Sequence, residues 1–129
     1  MKNLNYTIAL IALVLMASCV QEEHQKTITF SLDMRGVENP GNVGIRGDFT
    51  DQRWRETVAL TDEDGDSIYS VTLSQKTAIY GIEFKFVNQD DQFELKDQEN
   101  REIIFEYKPE VIEYTATFNN NKDFKINRK

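Results

Sequence analysis

Cysteine, histidine and proline are nearly missing from this chain of 129 residues, at one, one and two copies. A lone cysteine excludes an internal disulfide, and a lone histidine excludes a histidine cluster for zinc. The same scarcity leaves no candidate for a Ser-His-Asp relay, because the lone His24 falls in a polar tether ahead of the domain. Positive charge is also short. Fifteen Lys and Arg stand against 22 Asp and Glu, a formal net charge of −7. An acidic chain repels phosphate backbones, so nucleic acid is not an expected partner. What is present suits one globular domain. Hydrophobic residues at 40% exclude a wholly disordered protein, and the length allows one sizeable core.

Residues 1–18 read as a secretory signal. Lys2 supplies the positive start, and Ile8 to Ala17 form an apolar run too short to span about 30 Å of hydrocarbon. Met16-Ala17-Ser18-Cys19 resembles the lipobox of bacterial lipoproteins. The resemblance implies that Cys19 becomes the mature N-terminus and carries acyl chains that hold the protein in the cell envelope, on the outer membrane. Each buried CH₂ contributes about 0.8 kcal/mol, so two or three chains anchor stably. A plain cleaved signal with an incidental Cys19 is the alternative. Residues 19–26 read as a polar tether, with His24 solvated within it. The acids Glu22 and Glu23 resemble surface-export signals of Bacteroidetes lipoproteins; a solvated linker accounts for the same letters.

From residue 27 the apolar period is two, the mark of half-buried strands. Ile28, Phe30, Leu32 and Met34 alternate with polar residues, as do Val43 and Ile45, then Val58 and Leu60. Tyr69, Val71 and Leu73 follow the turn at Asp62 to Asp66. Tyr80, Ile82, Phe84 and Phe86 alternate with Gly81, Glu83 and Lys85, which turns Lys85 outward. Phe93 with Leu95, Ile103 with Phe105 and Tyr107, and Ile112 to Phe118 complete about eight short strands. Residues 27–118 therefore predict an all-β antiparallel sandwich. Residues 119–129 read as a frayed tail.

Three stretches within residues 27–105 carry a family resemblance. They are Val43 to Phe49 with its Gly47-Asp48-Phe49 turn, Gly81 to Val87, and Phe93-Glu94 followed by Glu99-Asn100-Arg101. In this order and spacing they resemble the starch-binding domain, carbohydrate-binding module family 20, and the related glycogen-binding domains. The resemblance implies an immunoglobulin-like sandwich and a non-catalytic module that takes an α-glucan, with no cofactor. It also implies a sugar site of two aromatic rings with a Lys, a Glu and an Asn. By position these are Lys85, Glu94 and Asn100, with Phe93 in place of one family Trp. The other ring falls near Gln52, and Trp54 stands two residues on. Either Trp54 supplies that ring, giving a patch of Trp54, Lys85, Phe93, Glu94 and Asn100, or it plugs the core. The family's second site relies on Tyr residues in the loop before Val43. Residues 35–42 hold no aromatic, so that site is expected to be absent.

Asp62, Asp64 and Asp66 have calcium-loop spacing, but Ser67 stands where an EF-hand needs Gly and Leu73 where it needs Glu. They read as a turn, with no metal expected. Paired carboxylates for glycoside hydrolysis need facing walls of a cleft, which the strand pattern does not offer, so no enzyme is expected. Two readings stand. One is a membrane-anchored module that binds starch-like or glycogen-like α-glucan. The other is a structural or protein-interaction sandwich that has lost sugar binding.

Overall fold

The computed structural model describes Asn3, Asn5 and residues 20–129. The signal segment, apart from Asn3 and Asn5, and the lipidation residue Cys19 lie outside the described residues. Among the described residues no helix is long and apolar enough to cross a membrane.

Period-two alternation becomes two packed sheets. The strands are β1 (His24–Asp33), β2 (Gly44–Gly47), β3 (Val58–Ala59), β4 (Ile68–Thr77), β5 (Gly81–Asn88), β6 (Gln92–Phe93), β7 (Arg101–Ile104), β8 (Glu110–Thr117) and β9 (Phe124–Arg128). One sheet runs β4-β1-β8-β9; the other runs β3-β2-β5, with β6 and β7 both pairing with β5. The inward faces meet in an aromatic core. Phe30 of β1 lies 5.1 Å from Phe84 of β5, ring centre to ring centre, and Phe84 lies 5.1 Å edge-on from Tyr114 of β8. Ile28, Leu32, Ile45, Ile82, Phe86, Ile103 and Ile112 fill the space around them. On the outer side of β1 and β4 a hydroxyl ladder pairs Thr27 with Ser74 at 3.0 Å and Thr29 with Thr72 at 2.9 Å.

The sandwich expected from the alternation is present, with three departures. First, β1 and β8 run parallel, with Phe30 opposite Tyr114, although every other pairing between these strands is antiparallel. Second, the tether is shorter than the expected 19–26. β1 already starts at His24, which is half-buried with its ring edge-on to Tyr107 at 4.6 Å, so His24 is not simply solvated. Lys26 is 3% exposed. Its ammonium donates to Glu106 O at 2.7 Å, Lys108 O at 2.6 Å and Glu110 Oε2 at 2.7 Å, which uses all three of its protons. Third, residues 119–129 are not a loose tail. Residues 124–128 pair with β8, Phe124 stacks on Tyr114 at 5.8 Å, and Arg128 is ion-paired to Glu110. Glu110 links the second departure to the third, because its buried carboxylate is ion-paired to both Lys26 and Arg128.

Candidate functional site

The site is built on the outer side of the β2–β5 sheet. Gly47 ends β2 where a side chain has no room: a Cβ there would meet Glu83 O at 2.4 Å and Phe84 Cβ at 2.8 Å. That close approach lets Asp48 N donate to Glu83 O at 3.0 Å. The Asp48 carboxylate then bridges outward. Its Oδ2 accepts from Glu83 N at 3.1 Å, and its Oδ1 accepts from the Trp54 indole Nε1 at 3.0 Å. Trp54 is half-buried in the loop after β2, outside the core cluster, which excludes the core-plug alternative. Its backbone sits at φ 64°, a left-handed value that a bulky residue adopts only when its surroundings hold it there. The holding contacts are Trp54 N to Gly47 O at 3.2 Å and the indole bond to Asp48.

The second ring is Phe93, 40% exposed, with its centre 6.4 Å from that of Trp54 and its plane tilted by 37°. Arg46 supports it from below, with Cζ 5.3 Å from the ring centre. That guanidinium is itself fixed, since Nε donates to Thr57 Oγ1 at 2.6 Å and Nη2 to Asp90 O at 2.8 Å. Arg46, Phe93 and Trp54 thus form a continuous aromatic and cationic shelf. Lys85 stands opposite Arg46 in the strand register. Its ammonium donates to Leu95 O and Gln98 O, both at 2.9 Å, which leaves one proton for a ligand and closes the loop 95–98. Asn100 is exposed at the end of that loop. Of the nine non-glycine residues with positive φ among the described residues, five border this region: Trp54, Gln89, Asp90, Leu95 and Asp97. Backbone held in such conformations concentrates at ligand sites.

Glu94 does not join the patch. It is 1% exposed, on the inner side, opposite to Phe93. Its carboxylate accepts from Arg101 Nε at 2.6 Å and Nη2 at 2.9 Å, from Phe86 N at 3.1 Å and from Asn119 N at 3.0 Å. Four donors leave nothing for a sugar hydroxyl. The reason is strand parity: when Phe93 points out, its neighbour points in. Burial works against the Arg101 charge, yet the hydrogen bond and charge of Glu94 outweigh it and hold Arg101 above its ordinary pKa. Burial likewise pushes the Tyr114 hydroxyl up. The Glu-Arg letters of the third motif are thus a structural pair. In exchange, Arg46 and Asp48 enter the site. The outward parity of Arg46, between buried Ile45 and Gly47, was a usable signal for it; Asp48 had none.

The carboxylate oxygens of Asp62, Asp64 and Asp66 lie within 4.8 Å of one another. Asp62 accepts from the backbone of Gly65 at 2.9 Å, Asp66 at 3.2 Å and Ser67 at 2.9 Å. These bonds shape the turn that the sequence pattern predicts.

No protein-family model matches the sequence, and no curated protein does. Among solved structures, the CBM25-2 of the beta/alpha-amylase from Paenibacillus polymyxa superposes with a TM-score of 0.49 at 13% identity, over 82% of this chain and 94% of that one. A likeness at that level bears on neither ligand nor activity.

Proposed function

We propose that this chain is a non-catalytic carbohydrate-binding module that takes an α-glucan on the Trp54–Phe93 shelf. The observation that carries the reading is Trp54, held at φ 64° with its indole tied to Asp48 and its ring beside Phe93. Pyranose C–H faces are apolar and slightly positive, and they pack on electron-rich ring faces. The remaining proton of Lys85 and the amide of Asn100 meet the hydroxyl rim. Two rings and two polar groups hold one or two glucosyl units, so the affinity expected is on the order of 0.1–1 mM, about 4–5.5 kcal/mol.

Affinity electrophoresis of the 20–129 chain, which carries every described strand, tests this. Amylopectin or glycogen in the gel should retard the wild type, and Trp54→Ala should migrate freely. A second reading has one observation in its favour: Glu94, a ligand by resemblance, is consumed by Arg101. If neither polymer retards the wild type and titration shows no binding of a cyclic maltooligosaccharide, the chain is a structural or protein-interaction sandwich.

The proposal extends to location. The Ala17-Ser18-Cys19 junction after a short apolar run supports a lipid on Cys19 and residence at the outer membrane of a bacterium. Cys19→Ser should leave the precursor unprocessed and poorly retained on membranes. Processing and retention like wild type would remove the anchor from the proposal.

A further inference from the structure

We propose that the sugar-binding surface continues past Trp54 into a second groove, where Tyr80 stacks a further unit of the same glycan chain. This rests on the shelf reading above. Tyr80 is 78% exposed, an unusual position for a ring of that size. It stands at the wall of an open groove of about 580 Å³ that also presents Asp48, Arg53, Gln21 and Glu23, within the range of small-ligand sites. The groove offers donors from Arg53 and Gln21 and acceptors from Asp48 and Glu23, the mixture that a hydroxylated chain requires. Ile79 and Tyr80 add exposed apolar surface beside these polar groups, the pairing that a pyranose, with apolar faces and a hydroxyl rim, can use.

Continuity with the shelf comes from two residues. Asp48 both fixes the Trp54 indole and lines this groove. Arg53 lines it and precedes Trp54 in the chain. Tyr80 lies three residues before Glu83, whose N–H donates to Asp48; that is about 10 Å along an extended strand. Asp48 is thus common to the shelf that carries Trp54 and to the groove that Tyr80 lines. The Tyr80 position is set by its backbone, since Tyr80 O accepts from Phe105 N at 2.7 Å. A change of its side chain leaves that bond in place.

Isothermal titration with maltotriose and maltohexaose tests the extension on the 20–129 chain. The wild type should bind maltohexaose about three- to tenfold more tightly than maltotriose. Tyr80→Ala should erase that difference and leave maltotriose affinity within about twofold of wild type, whereas Tyr80→Phe should retain it. Melting temperature should not change, because the ring is exposed. Maltotriose binding without any gain for the hexamer overturns the Tyr80 extension and leaves the shelf standing. Loss of binding to both sugars in Tyr80→Ala also overturns it. Failure of both sugars to bind the wild type overturns the shelf and the extension together. An undiminished hexamer gain in Tyr80→Ala, with weaker partition onto phosphatidylcholine vesicles, would make the groove a membrane contact instead.

Discussion

The guanidinium of Arg101 grips the carboxylate of Glu94 in a fork, Nε to Oε1 at 2.6 Å and Nη2 to Oε2 at 2.9 Å, with the two side chains 3% and 0% exposed. The same Nη2 reaches Thr117 O at 3.1 Å and Asn120 O at 3.2 Å. One ion pair thus ties the loop beneath the Trp54–Phe93 shelf to the turn between β8 and β9. Breaking such a pair by removing one partner costs about 3–5 kcal/mol, because the other charge is left buried. Glu94→Ala should show that loss in urea unfolding. A loss below about 1 kcal/mol would mean that water enters and the pair is not a clamp.

Trp54 offers a test that separates the ring from its backbone. Both Trp54→Ala and Trp54→Gly should abolish retardation by amylopectin. The left-handed backbone costs an L-residue about 1–2 kcal/mol and glycine almost nothing. The glycine variant should therefore unfold at higher urea than the alanine variant, despite its greater freedom when unfolded. The reverse order would show that the loop relaxes to negative φ once the indole is gone.

Removal of residues 123–129 should be costly for a terminal segment. It takes away the Phe124 ring stacked on Tyr114 and the Arg128 partner of Glu110. Hydrogen bonds to buried charge contribute about 1.5–3 kcal/mol, and an exposed ring stacked on one face, as Phe124 is, about 1. A total near 3 kcal/mol should lower the melting temperature by about 10 °C or more. A calorimetric shift under about 3 °C would restore the picture of a frayed end.

Asp62 sets a pH dependence. Desolvation pushes its carboxyl up, but the N–H groups of Ser67 and Gly65, a side-chain hydrogen bond with Asp64 and the Asp66 N–H together outweigh this and hold it below its ordinary value of 3.8. A depressed carboxyl stabilises the fold above that ordinary value, and the contribution fades as pH falls through the lower folded value. The amide resonances of Gly65, Asp66 and Ser67 should shift together on acidification, below pH 3.8. Asp62→Asn should remove the shared titration. Calcium should bind no tighter than about millimolar, the weak end for carboxylate loops. A micromolar site that raises the melting temperature would contradict this.

Most of the sandwich was legible because Ile28 to Met34, Tyr80 to Phe86 and Ile112 to Phe118 alternate without interruption. β9 was not, since Phe124-Lys125-Ile126-Asn127-Arg128 carries only two apolar residues; its place is fixed by Arg128 finding Glu110, a contact that sequence spacing does not encode. Lys26 was hidden for the same reason: a lysine at a strand's inward position reads as solvent until its three acceptors are known. At the site, alternation turned Lys85 outward correctly. Applied to Phe93 and Glu94, the same rule forbids both from one surface, and the family likeness masked that conflict. Trp54 was undecidable from the letters, because its position depends on a left-handed backbone and on a carboxylate six residues earlier.

The parallel pairing of β1 with β8 has a kinetic consequence. Lys26 and Glu110 are 84 residues apart, yet β1 is an interior strand of its sheet, flanked by β4 and β8. A chain emerging N-terminus first holds β1 with one open edge until β8, Glu110–Thr117, arrives. Pairing of such high contact order is slow, because loop closure comes before the contacts that reward it. Until then the hydrogen-bonding edge beside Ile28, Phe30 and Leu32 is a template for other chains. The unfinished chain, more than the folded one, is the form that exposes an aggregation-prone edge.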